Sequence, residues 1–241
     1  MTSVTGCLLP RLGEGRRVSV RRVRSSRALP PPLPLPIDHY GSDAAPALIA
    51  QLTSSTSWET RTSAALSLAQ LRADGVVPAL VHALRDRSVE VAVAAAEALA
   101  IQGGDDAQTE LLAVLENNDG YFSPVTRVAA ISGLARRLDT TQLGPVFAAL
   151  RDIDAEVSIA AVAVIADRVP AQASGLLLPL LRDRTGYYLS IVRLAVANAL
   201  ERTGGLHAGV VGELLAHEQD ASVRRVLERA AYLAEPTLSG Q

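Results

Sequence analysis

Gly120-Tyr121-Phe122-Ser123-Pro124-Val125-Thr126-Arg127 has a second copy, Gly186-Tyr187-Tyr188-Leu189-Ser190-Ile191-Val192-Arg193. The offset is 66 residues, with no gap. It continues outward to the flanking leucines, pairing Leu115 with Leu181 and Leu134 with Leu200. Laying residues 76–138 on 142–204 also pairs Leu84 with Leu150, Arg85 with Arg151, Asp86 with Asp152, and Val91 with Val157. Arg61, Arg127 and Arg193 carry the same interval to a third register. Self-similarity at a fixed period marks a repeat architecture, in which each unit buries its apolar face against the next.

The repeated unit is an apolar run ending in Leu, a short polar turn, then an Ala-rich run. First runs end at Leu52, Leu84, Leu115, Leu150, Leu181 and Leu215; second runs end near Leu68, Leu99, Leu134, Ile165, Leu200 and Leu233. In the second unit, Val77, Leu80, Val81 and Leu84 recur at helical spacing, which draws one apolar stripe along a helix. Pro78 falls in the first turn, where a missing N–H costs little. Ser88 is the expected N-cap of the next helix. Val91, Ala94, Ala95, Ala98 and Leu99 then form its buried face, and Gly103-Gly104 ends it. No stretch alternates with period two, so no strand is expected. The predicted fold is all-α: a right-handed α-solenoid of about six helical hairpins over residues 42–236, with second helices on the concave side. Odd hairpins carry Arg at the start of the second helix, where even hairpins carry Val91 and Val157. Hairpins three and five have longer turns, and the added residues hold the aromatics.

Ala83-Leu84-Arg85-Asp86 running through Val91 to Leu99 resembles the HEAT repeat, as do Ala149-Leu150-Arg151-Asp152 through Val157 to Ile165 and Asp220-Ala221-Ser222-Val223-Arg224 through Ala230. The short, Ala-rich form is similar to the HEAT-like repeats of phycobilin lyase subunits. The resemblance implies a solenoid and a scaffold role, which many unrelated functions share. It also implies that Arg61, Arg127, Arg193 and Arg224 meet a turn Asp or turn carbonyls in their own or the next repeat. The alternative for these arginines is a row on a binding face that recognises carboxylates or phosphates.

Composition narrows the function. The hydrophobic fraction is 49% but aromatics are only 3%, so the core is built from Ala, Leu and Val. Residues 1–37 hold seven of the 23 basic residues, all Arg, and one of the 25 acids, Glu14. The remaining 16 Arg face 24 acids. An acidic body argues against nucleic acid as the main partner, since that affinity rests on cationic contacts. Pro30-Pro31-Pro32-Leu33-Pro34-Leu35-Pro36 cannot continue a helix. Residues 1–40 are therefore expected to be a disordered basic tail, with a transit peptide or an arm for an anionic or SH3-type partner as alternatives. Residues 237–241 are expected to be a flexible C-terminus. A single cysteine, Cys7, excludes an intrachain disulfide. No apolar stretch is long enough to cross a membrane, and a cytoplasmic location is expected.

Tyr121, Phe122, Tyr187 and Tyr188 are four of only eight aromatic residues. Two hairpins apart, their loops should face nearly the same way, forming a bipartite patch that grips a protein partner. The competing role is to fold back over the alanine-rich core, which is favoured for Phe122 and Tyr188 and left open for Tyr121 and Tyr187. Arg127 and Arg193 complete the candidate site. No catalytic set, metal site or cofactor is expected. His39, His82, His207 and His217 lack the paired His-Glu motifs of HEAT-type iron hydroxylases. Trp58 is expected to cap the first hairpin. The expected function is a non-catalytic scaffold or adaptor, with a lyase-like enzyme subunit as the rival and nucleic-acid binding as a third reading.

Overall fold

The structure is a computed structural model that describes residues 44–234. The basic and proline-rich segment 1–40 and the C-terminal 237–241 lie outside the described residues.

Twelve α-helices form six hairpins among the described residues: α1 (Ala45–Ser54) with α2 (Trp58–Leu68), α3 (Val76–Ala83) with α4 (Val89–Gln102), and α5 (Asp105–Glu116) with α6 (Pro124–Arg137). The second half repeats the plan with α7 (Gly144–Ala149) and α8 (Ala155–Arg168), α9 (Pro170–Arg182) and α10 (Ser190–Thr203), and α11 (Ala208–Leu215) and α12 (Ala221–Ala234). No strand occurs among the described residues, so the all-α solenoid read from the repeat is the fold.

The two rows of helices pack differently. The second helices α2, α4, α6, α8, α10 and α12 lie closely against one another in order, while the first helices touch sparingly. Side-chain size explains the close row. Ala64, Ala65, Ala95, Ala98, Ala130, Ala161 and Ala197 are fully or almost fully buried there. Gly133 marks the tightest approach: a Cβ at that position would stand 2.6 Å from the Ala100 Cβ. Between these small residues sit the large buried ones, Leu68, Leu99, Leu134, Ile165 and Leu200, toward the ends of α2, α4, α6, α8 and α10. Each such side chain contributes about 1.5–3 kcal/mol on leaving water.

Polar clamps join the hairpins in pairs. Arg61 is buried; its Nε and Nη2 donate to the two Asp86 carboxylate oxygens, each at 2.7 Å, and Nη1 donates to the Ser55 carbonyl at 2.9 Å. Arg127 repeats this with Asp152 and the Leu115 carbonyl. Arg193 repeats it with Glu218. Each link spans 25 residues, from the start of an odd second helix to the turn of the next, even hairpin. The clamps thus join hairpins 1 with 2, 3 with 4, and 5 with 6. Val91, Val157 and Val223 fill the matching place in even hairpins and are wholly buried.

Two local expectations differ from the structure. Ser88 stands at the N-cap of α4, but its hydroxyl donates to Glu90 instead of accepting a helix N–H. Trp58 opens α2 and remains 42% exposed, so it does not close the first hairpin.

Candidate functional site

The aromatic loops supply the connection that the arginine clamps leave out. The Tyr121 hydroxyl donates to the Arg85 carbonyl at 2.9 Å, and the Tyr187 hydroxyl donates to the Arg151 carbonyl at 2.6 Å. These bonds run backward from hairpin 3 to hairpin 2, and from hairpin 5 to hairpin 4. Both kinds of link therefore meet in one dipeptide, Arg85-Asp86 or Arg151-Asp152. The acid receives the arginine of the hairpin before, and the carbonyl beside it receives the tyrosine of the hairpin after.

Each loop is folded by its own residues. Gly120 and Gly186 adopt φ of +69° and +80°, left-handed values that admit glycine at little cost. Asn117 holds the first loop from both sides, accepting the Phe122 N–H at 2.8 Å and donating to the Phe122 carbonyl at 3.2 Å. The rings then meet edge to face, with centroids 5.4 Å apart for Tyr121 and Phe122 and 4.9 Å apart for Tyr187 and Tyr188. Phe122 and Tyr188 turn inward and pack on the core, while Tyr121 is 49% and Tyr187 55% exposed. The four aromatics therefore divide. The second ring of each pair covers, and the first presents a face to solvent while its hydroxyl ties two hairpins.

Arg127 and Arg193 are placed apart from the aromatic faces. All five N–H groups of Arg127 are engaged, by the Leu115 carbonyl, Asp152 and Asp154. Its guanidinium is buried, so it acts between hairpins and offers no donor to a partner. Arg193 is less complete: it bonds Glu218, and its buried Nε has no partner among the described residues.

Because the first helices are splayed, grooves open between them, and each aromatic loop walls one groove. The first lies between α3 and α5, has a volume of about 500 Å³, and is lined by Val81, His82, Arg85, Glu110, Asp119 and Phe122 among others. The second lies between α7 and α9, has a volume of about 1080 Å³, and is lined by Phe147, Arg151, Leu176, Pro179, Tyr187 and Tyr188 among others. Most of these residues correspond at the 66-residue offset: Val81 to Phe147, Arg85 to Arg151, Glu110 to Leu176, Ala113 to Pro179 and Phe122 to Tyr188. The sequence displayed the loops, but not the grooves. A groove depends on how far two helices stand apart, which the hydrophobic pattern of either helix does not encode.

The electrostatics of the two grooves differ. In the first, Arg85 lies 4.9 Å from the Tyr121 ring centroid and 5.0 Å from that of Phe122, and its Nη2 donates to Asp119 at 2.7 Å. That hydrogen bond, aided by the Tyr121 N–H, holds the Asp119 carboxyl below its ordinary range. In the second groove Thr185 replaces Asp119. Its hydroxyl oxygen still accepts the Tyr187 N–H, at 3.3 Å, but gives Arg151 no counterpart of the Asp119 carboxylate. Arg151 is exposed and has no ion-pair partner among the described residues. Beside it, burial pushes the Tyr188 phenol up, and the Arg151 charge partly opposes that shift.

The geometry of residues 45–135, three hairpins with the clamp and the first loop, coincides with a match to the family model described as HEAT repeats. Residues 45–135 are similar to HEAT repeats. The match covers α1 to nearly the end of α6, and the clamp, loop and groove of that part recur 66 residues later in hairpins 4 to 6. It carries no information on the lyase-subunit type. No curated protein is matched by the chain. Among the described residues, no helix is long and apolar enough to cross a membrane, and no three His, Cys, Asp or Glu residues converge as a metal-ligand set.

Proposed function

We propose that this HEAT array is a non-catalytic scaffold that binds a protein partner through the aromatic-walled grooves, chiefly the one between α7 and α9. The observation that carries this reading is the exposed apolar segment that begins at the wall of that groove: Tyr187 lines the groove, and Tyr187, Leu189 and Ile191 are 55%, 60% and 58% exposed. A contiguous apolar patch beside a groove is where association removes most apolar surface from water. Stacked hairpins hold that patch rigidly, so binding orders little chain. The charged groups around the grooves are largely spent on internal pairs, Arg85 with Asp119 and Arg182 with Glu213, which suits recognition better than proton transfer.

Display panning of random peptides against the full chain tests the proposal. The expected result is a set of peptides whose binding falls at least about tenfold in Tyr187→Ala/Leu189→Ser. Circular dichroism of the variant serves as the folding control. Failure to enrich any peptide, or enrichment indifferent to the double substitution, would sink the reading.

A further inference from the structure

At four places around the second groove, the change from the first copy removes a local stabilising contact. Ser123 caps α6 by accepting the Thr126 N–H, whereas its counterpart Leu189 caps nothing and is 60% exposed. Asn117 clamps its loop from both sides, whereas its counterpart Asp183 bonds Thr185 through Oδ1 and leaves a buried Oδ2 with no partner among the described residues. Ala113 lies within a regular helix, whereas its counterpart Pro179 lies inside α9 and has no N–H for the Gly175 carbonyl. Asp119 neutralises Arg85, whereas Thr185 leaves Arg151 without a counter-ion. Local rules broken together in one place point to selection for contact with something outside the fold.

The first groove shows what the second lacks. There a carboxylate lies on the guanidinium, above an edge-to-face aromatic pair. Arg151 has the same position in the repeat, the same tyrosine bonded to its carbonyl and no carboxylate. The other charges nearby do not satisfy it. Asp152 is taken by Arg127, Arg182 is paired with Glu213, and neither oxygen of Asp183 is bonded to Arg151, Oδ1 being held by Thr185 and Oδ2 having no partner among the described residues. Glu116 lines a neighbouring hollow of about 430 Å³ between α5 and α7, which Arg151 also borders, and makes no ion pair there. The groove beside Arg151 is apolar at the positions where the first groove is polar, with Leu176 in place of Glu110 and Ala148 in place of His82.

We infer that the groove between α7 and α9 takes an acidic, aliphatic peptide segment of a partner protein, with one carboxylate on Arg151 and neighbouring apolar side chains against Phe147, Leu176 and Pro179. This rests on the scaffold reading and specifies its partner. The partner's carboxylate occupies the place that Asp119 fills internally in the first groove. Arg151 offers donors matched to a carboxylate, and bonding to a charged group beside apolar surface is worth more than in open water.

The test uses the full chain and a short fluorescein-labelled peptide of alternating leucine and glutamate, with a leucine–glutamine peptide as control, followed by fluorescence anisotropy. The glutamate peptide should bind at least about tenfold more tightly than the glutamine one. Arg151→Gln should erase that preference. Thr185→Asp should also erase it, by supplying Arg151 with an internal carboxylate, while the fold stays intact by circular dichroism. Arg85→Gln should leave the preference unchanged. Equal binding of the two peptides, no measurable binding of the glutamate peptide, or an unaffected Thr185→Asp variant would overturn the inference. So would displacement of the peptide by inorganic phosphate at concentrations where acetate has no effect, which would assign Arg151 to a phosphate-bearing ligand. Panning that enriches peptides free of acidic residues would overturn this inference while leaving the scaffold reading standing.

Discussion

The groove between α3 and α5 and the groove between α7 and α9 hold the same place in two copies of one double hairpin, yet they are finished differently. The first closes its own polar accounts, with Asp119 on Arg85, Asn117 on the loop backbone and Ser123 on the helix end. The second keeps the frame, the glycine turn, the aromatic pair and the tyrosine bond, but omits those finishing contacts. The difference separates what the array needs in order to stack from what it is free to vary. Clamp arginines and turn acids recur in both copies because every layer depends on them. Groove linings differ because stacking does not use them.

That division can be broken first at the clamp. Arg127→Ala strips Asp152 and the Leu115 carbonyl of their buried donor and should cost about 3–5 kcal/mol. Arg193→Ala, at the same position in the second copy, should cost distinctly less, about 2 kcal/mol, because Arg193 has a single side-chain bond and is partly exposed. Urea unfolding of both variants decides it, and equal losses would mean that the two clamps are not graded by burial.

The close helix row offers a second contrast. Gly133→Ala drives a methyl group to 2.6 Å from the Ala100 Cβ, so it should destabilise by about 1–3 kcal/mol. At the matching position the second copy already holds Ala199, and Ala199→Gly should cost only about 1 kcal/mol, mostly through helix propensity. Thermal melts would show whether α4 and α6 really approach more closely than α8 and α10. A stabilised Gly133→Ala would refute it.

Acid sharpens the comparison at the first clamp. Burial disfavours the Asp86 carboxylate, but hydrogen bonds from Arg61 and the Ser88 N–H outweigh it and hold the carboxyl below its ordinary value of 3.8. Folding therefore favours the charged form. Its contribution is complete above that ordinary value and is lost as pH falls through the lower native one. The stability gap between wild type and Asp86→Asn should narrow as unfolding is followed from about pH 6 to about pH 3. A gap that stays constant would show that the clamp does not titrate.

The smallest expected effect belongs to the tyrosine hydroxyls. Tyr121→Phe and Tyr187→Phe each lose one exposed bond to a turn carbonyl, worth about 0.5–1 kcal/mol. The two losses should be similar, since both bonds belong to the shared frame. A chemical-denaturation midpoint moved by only one of them would place that tyrosine outside the frame.

Much of this was legible in the sequence. The leucine intervals placed all six hairpins, and the resemblance to HEAT repeats implied that the arginines at 61, 127 and 193 meet a turn acid or turn carbonyls, as they do. Phe122 and Tyr188 were expected to cover the core, and they pack on it. The importance of Arg151 was missed, although carrying the same offset through the loop sets Asp119 against Thr185. That mismatch acquires meaning only once Asp119 is seen on Arg85, a contact across 34 residues that no local pattern predicts. The grooves themselves were hidden, since helix spacing is a property of the stack.

The constant 25-residue reach of the clamps also bears on how the chain is made. A guanidinium that must wait for an acid 25 residues downstream is satisfied as soon as one more turn of the array has left the ribosome. No layer depends on a distant part of the chain, and contacts of short sequence separation form quickly. Synthesis can therefore lock the array two hairpins at a time, with each finished pair serving as the template against which the next is laid down.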